Sequence, residues 1–161
     1  MEGINVFNDC IRKLIFVWTL CSLLSDGSAQ TSNPLFDSTL AKKYQADQYG
    51  MRNYTMVLLK TGPVQIDDKA KVSELFRGHL DNIGRLVKEG IMVVAGPFMK
   101  NDLYRGIFIL TVATAEEAKT LMDTDPAIHA GLLEPVYLGW YGSAALPAYL
   151  ELSEKLGRFK I

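Results

Sequence analysis

Two histidines, His79 and His129, are the only imidazoles in 161 residues, and they bound the chemistry open to this chain. Histidine changes charge near neutral pH, so a positioned one can serve as general acid or base. Two imidazoles cannot hold a zinc ion by themselves, and no carboxylate stands at a metal-ligand spacing from either, so no protein metal site is expected. The sequence has no GxGxxG, P-loop, HExxH or GxSxG pattern, and no cofactor is expected. Proton transfer by one metal-independent base is the chemistry that remains.

His79 follows Val72 by seven residues and Phe76 by three. It lies in a run, Lys69 to Glu89, whose apolar positions Val72, Leu75, Phe76, Leu80, Ile83, Leu86 and Val87 recur with helical period. That spacing points the imidazole inward. Two accounts of it stand: a core histidine bonded to a backbone carbonyl, or a base facing a pocket. Gly78 costs about 1 kcal/mol against alanine inside a helix, so another helix or a ligand is expected to approach the backbone there. Asp125 stands before Pro126, where a carboxylate accepts the free amides of a starting helix. Its other reading is as the partner that fixes the tautomer of His79. Lys60 ends one strand and Arg105 opens another; each is either a solvated strand end or positive charge at a pocket rim. With Tyr54, they are the candidate contacts for an anionic substrate. Glu134 is expected to be exposed, and Trp140-Tyr141 to serve as core or dimer contact.

The elements that must position these residues are legible. Asp37 to Gln48 suggests a short helix capped by Asp37 or Ser38. Tyr54 to Thr61 is a strand stopped by Gly62-Pro63, and the long helix follows with Asp67 or Asp68 as cap and Gly90 past its end. Ile91 to Ala95 is a strand closed by Gly96-Pro97, Lys100 to Asp102 a turn, and Gly106 to Val112 a third strand. Thr114 opens a helix with capping-box spacing, so Glu117 is expected to reach the Thr114 amide. That helix is expected to bury Ala115, Ala118, Leu121 and Met122. A helical turn from Pro126 to Ala130 precedes a strand from Leu132 to Trp140, whose Pro135 argues for an edge or a bulge. Leu146 to Leu156 closes the chain as a helix. The order β-α-β-β-α-β builds a split βαβ sheet with both helices on one face. The other face is then bare and apolar, and a homodimer through it is expected.

Composition removes several classes of function. With 17 basic and 18 acidic residues the chain has no basic face for nucleic acid, and 48% apolar residues suffice for a core. Arg12-Lys13, the apolar run Leu14 to Leu24, and Gly27 and Ala29 at the −3 and −1 positions form the pattern of a secretory signal cleaved after residue 29. Eleven apolar residues are too few to span about 30 Å of hydrocarbon, so no stable membrane anchor is expected. Cleavage would remove Cys10 and Cys21, leaving no thiol, and would leave 15 charges of each sign.

From Tyr54 to Leu146 the chain resembles the YCII family. The resemblance rests on Arg77-Gly78-His79-Leu80, Glu89-Gly90, Ala95-Gly96-Pro97, Arg105-Gly106-Ile107, Glu116-Glu117-Ala118, Asp125-Pro126-Ala127 and Ala130-Gly131. Tyr49-Gly50-Met51 and Trp140 to Leu146 resemble a secreted branch of that family. The resemblance implies an α+β fold of the ferredoxin-like, dimeric α-β barrel type. It also implies an active pair that maps onto His79 and Asp125. It supplies no reaction; the one associated activity, elimination of HCl from chlorinated hydroxyquinols, has no specific signal in these residues. The expected organisation is a signal peptide at 1–29, an N-terminal extension at 30–53, the domain at 54–146 and a C-terminal helix at 147–161. The expected function is lyase- or isomerase-type general-base catalysis on a small molecule, with a non-catalytic binding or accessory module, or a purely structural dimer, as the alternatives.

Overall fold

The computed structural model describes residues 33–100 and 103–158. The signal segment 1–29, most of the loop 30–34 and residues 101–102 of the expected turn lie outside the described residues. The chain divides into two units at residue 36. Of the first, residues 33–36 form a turn in which the Phe36 amide donates to the Asn33 carbonyl at 3.1 Å.

The second unit is built from α1 (Ser38–Lys43), β1 (Met51–Thr61), α2 (Lys69–Lys88), β2 (Met92–Pro97) and β3 (Tyr104–Leu110). There follow α3 (Ala115–Met122), α4 (Pro126–His129), β4 (Leu133–Ser143), a 3₁₀ turn (Leu146–Tyr149) and α5 (Leu150–Leu156). The strand order is β2-β3-β1-β4, and every neighbouring pair is antiparallel. This is the ferredoxin-like split βαβ arrangement. The edge strands β2 and β4 carry Pro97 and Pro135, where a missing donor costs no ladder hydrogen bond.

Short polar side chains set where the helices begin. The carboxylates of Asp37 and Asp68 accept the free amides that open α1 and α2, and the Thr114 hydroxyl accepts from Glu117 N–H at 3.3 Å. Glu117 does not reach the Thr114 amide as expected. Its carboxylate instead accepts from the Thr114 hydroxyl at 2.9 Å, because one hydroxyl can accept and donate together. Helix α1 stops five residues short of Gln48. Gln45 adopts the left-handed conformation (φ 55°), and Gln45 and Ala46 N–H close back onto the Lys42 and Ala41 carbonyls at 3.2 and 2.8 Å, a Schellman stop. β1 begins at Met51, three residues before Tyr54, because Met51 to Asn53 continue the pairing with Tyr141 to Ser143.

The main core lies between the sheet and helices α2 to α4. It is made by Val57 and Leu59 of β1, Met92, Phe108, Leu110 and Leu133 from the other strands, Leu86 of α2, Ala118 and Met122 of α3, and Ala127 and Ile128 of α4. Ala115 is exposed, so α3 buries a narrower stripe than its apolar residues suggest.

The opposite face of the sheet departs from expectation. The sequence leaves it bare, but Leu146 and Leu150 pack against Tyr54, Val93 and Ile109 there, and the Tyr149 hydroxyl donates to the Val93 carbonyl. The C-terminal segment therefore covers part of that face. It does so as a 3₁₀ turn containing Pro147 followed by a short α-helix, where the sequence suggested one continuous helix. Leu138, 44% exposed, remains uncovered on β4. Among the described residues no helix is long and apolar enough to cross a membrane.

Candidate active site

Helix α2 carries His79, Asn82 and Leu86 on its buried line, at spacings of three and four residues that stack on one face. Phe76 and Leu80 were expected in the same stripe. At about 100° per residue they fall to one side of it, and they remain 39% and 47% exposed. His79 thus sits at the margin between core and surface. Its ring lies 5.8 Å from Phe108 beneath it and meets Phe76 edge-on at 6.0 Å.

Asp125 approaches from the opposite side. The chain leaves α3, passes through Asp123 and Thr124, and enters α4 with Pro126 as a first-turn residue whose absent N–H is no loss. The Asp125 side chain is 1% exposed and divides its two oxygens. Oδ1 accepts from Ala127 and Ile128 N–H at 3.0 and 3.2 Å, and Oδ2 lies 2.7 Å from His79 Nδ1. The cap bonds and the contact with His79 therefore belong to one side chain. Where the carboxylate is ionised it can only accept, and a neutral imidazole facing it then holds its proton on Nδ1 and leaves the Nε2 lone pair for another partner. Among the described residues no hydrogen bond engages Nε2, and the histidine side chain keeps 11% of its exposure.

Gly78 explains how the two segments come this close. A Cβ built on it would stand 2.9 Å from Pro126 Cγ, so α4 is the element that approaches the helix backbone. Gly78→Ala gains helix propensity of up to about 1 kcal/mol but must push Pro126 away. The expected result is a lengthened His79–Asp125 contact with little net gain in thermal stability, read by NMR of the imidazole and by thermal unfolding. A clear stabilisation with unchanged imidazole signals would contradict this.

A second polar group adjoins the pair and was not anticipated from sequence. Asn82, one turn beyond His79, accepts from Arg85 Nη2 at 2.8 Å, and Arg85 Nη2 also donates to Thr124 Oγ at 3.1 Å. The spacing His79-x-x-Asn82 on one helix face was the available signal.

The other candidates are not brought to His79. Tyr54 is fully buried in the second cluster with its hydroxyl on the Ser143 carbonyl at 2.8 Å and its ring 5.4 Å from Trp140. Burial raises its pKa, with the nearby Arg52 guanidinium acting the other way. Lys60 pairs with Glu134 across β1 and β4 at 3.3 Å, and Arg105 is exposed where β3 begins. His129 is exposed at the end of α4. The remaining perturbed groups belong to the scaffold. Tyr137 is pushed up to about 12 by burial and by Asp123. Asp47, at the approach to β1, is held low by the Tyr141 hydroxyl and by the Met51 and Tyr49 amides. Among the described residues no three His, Cys, Asp or Glu side chains gather where a metal could sit.

A ferredoxin-like α+β domain that holds a buried histidine–aspartate pair between its first long helix and the cap of a following helical turn defines the class of this protein. The profile of the YCII-related domain matches residues 54–138, more than half of the chain, and the chain belongs to that family. Among curated proteins, none matches it significantly. A solved structure, 5-chloro-2-hydroxyhydroquinone dehydrochlorinase from Burkholderia phenoliruptrix in complex with 2,5-dihydroxybenzoquinone, is 18% identical. The match covers 54% of this chain and 92% of that one, with a TM-score of 0.42.

Proposed function

We propose that this protein is a metal-independent enzyme in which His79 removes a proton from a small molecule and Asp125 orients the imidazole. The observation that carries the reading is the 2.7 Å contact between His79 Nδ1 and a buried carboxylate, with no hydrogen bond to Nε2 among the described residues. A base needs a free lone pair, a fixed tautomer and a partner for the charge it acquires, and this arrangement has all three. Nε2 accepts the proton of an acidic C–H or O–H bond, and the electron pair of that bond stays on the substrate. In an elimination the pair forms a new π bond as the leaving group departs with its own electrons. In an isomerisation the imidazolium returns the proton to another atom. Catalysis in solvent-accessible carbon acids should therefore include exchange of substrate hydrogen with water.

The test is deuterium exchange, followed by NMR, into a panel of small ketones, hydroxyketones and polyhydroxylated aromatics in D2O. The protein should accelerate exchange for at least one of them, and His79→Gln should lower that rate by about 10²-fold or more. A panel member that binds without exchange, equally in both proteins, would favour the non-catalytic module instead.

We also propose that the mature protein is exported and dimeric. The leader-like composition of residues 1–29 supports export, and N-terminal sequencing of envelope protein should begin at Gln30. An intact Met1 form in the cytoplasm would count against it. The uncovered part of the second sheet face, with Leu138 at its surface, supports a second copy docking there. Sedimentation at micromolar concentration should give a dimer, and Leu138→Lys should give a monomer.

A further inference from the structure

We propose that Arg85 is a positioning residue for the His79–Asp125 pair, because it ties the residue before Asp125 to the helix that carries His79. The proposal rests on the reading of that pair as a base and its orienter. Arg85 lies six residues after His79 on α2, and its planar fork is divided between two tasks. Nη1 donates to both carboxylate oxygens of Glu89, at 3.0 and 2.9 Å, and so holds the guanidinium from outside. Nη2 donates to Asn82 Oδ1 at 2.8 Å and to Thr124 Oγ at 3.1 Å.

The proton count makes the bridge specific to Arg85. The Thr124 hydroxyl has one proton, and its shortest acceptor is the Leu121 carbonyl at 2.7 Å. With that proton committed, the hydroxyl oxygen can only accept on its other side. It stands 3.2 Å from Asn82 Oδ1, which is also an acceptor. Two acceptors at that distance repel unless donor hydrogens sit beside both, and Nη2 supplies one to each. The Asn82 amide shows which contact sets its orientation. Its Nδ2 is buried with no partner among the described residues, although turning the amide over would offer that nitrogen to Thr124. Turning it would also aim an N–H at the guanidinium. In this orientation Oδ1 faces Arg85, and Nδ2 has no protein partner among the described residues.

Thr124 is one peptide bond from Asp125. The cap bonds to Ala127 and Ile128 use Oδ1 alone and leave the direction of Oδ2 less constrained. The Arg85 bridge fixes the backbone on the other side of Asp125 against α2, and with it the aim of Oδ2 at His79. A general brace would lower stability; a positioning residue would also change the imidazole.

The experiment is ¹⁵N NMR of the His79 ring in the full chain, in a His129→Gln background, with thermal unfolding measured in parallel. In the reference protein Nδ1 should carry the proton, and Asp125→Asn should change the ring signals. If it does not, the pair itself is wrong, the base reading fails, and the role of Arg85 falls with it. Given a responsive pair, Arg85→Met and Thr124→Val should mix the two tautomers and speed Nδ1–H exchange with water by about tenfold, the scale of one lost charge-assisted hydrogen bond. Thr124→Ser should keep the reference signals, because its hydroxyl still accepts from Nη2. Arg85 is nearly half exposed, so its methionine variant is expected to fold. Unchanged ring signals in folded Arg85→Met, whatever its unfolding midpoint, would overturn the proposal and leave the pair standing.

Discussion

Asp125→Asn is expected to leave the fold nearly intact while lowering catalysed exchange by about 10²- to 10⁴-fold. Asparagine caps a helix as well as aspartate does, so the bonds from Ala127 and Ile128 N–H survive. What changes is the other side of the group. If the new amide nitrogen faces Nδ1, it can only donate, and the imidazole must take the tautomer that accepts there. The proton then sits on Nε2, the atom proposed to act as base. Asp125→Ala should behave differently. It removes the cap, worth about 1 kcal/mol, and leaves a buried ring nitrogen unpaired, worth about 1–3 kcal/mol, so a loss of about 2–4 kcal/mol is expected by chemical denaturation. Equal, large destabilisation by the two variants would mean that the negative charge of Asp125, and not its cap, is what the fold requires. Adding His79→Gln to Asp125→Asn should lower the exchange rate little further, because the two residues act as a unit.

Phe108→Ala should be the most damaging single truncation near the site, at about 3–5 kcal/mol, as for other fully buried phenylalanines. Phe108 is 2% exposed, sits in the main core and lies beneath the His79 ring. Phe108→Leu keeps most of the volume and should cost less than about 1.5 kcal/mol, yet it removes the tilted aromatic ring 5.8 Å from the imidazole. Stability and exchange rate should therefore separate in the leucine variant. A cost below about 1 kcal/mol for the alanine variant would mean that the strand and helix collapse onto each other and that the site is not rigidly supported.

Most of the scaffold was legible because it is written in local signals. The Asp68, Thr114 and Asp125 caps, the period of α2 and the proline-marked edge strands each depend on residues close in the chain. So did the inward direction of His79. Its contact with Asp125 spans 46 residues and depends on how α4 meets α2. Gly78 announced that something would approach but not that Pro126 would. Tyr54, Lys60 and Arg105 show the converse limit. Their types suit anion binding, but strand alternation and register decide which face a side chain joins. Tyr54 and Lys60 are an even number of residues apart on β1 and share the face away from the main core. The coverage of that face by the C-terminal segment was likewise not readable, since a short apolar helix at a chain end has no local mark of where it packs.

The double duty of Asp125 has a consequence for tracing the proposed activity through descent. A copy of the gene that abandoned proton transfer would still be held to aspartate or asparagine at that position, because the turn that follows has to start somewhere. Its persistence would record architecture and not chemistry. His79 has no cap to supply; an apolar residue there would cost about 1–3 kcal/mol through the unpaired Oδ2 of Asp125, which another hydrogen-bonding side chain could still engage. In any lineage of this domain, the histidine is the character that dates the loss of a reaction, and the aspartate is the one that outlives it.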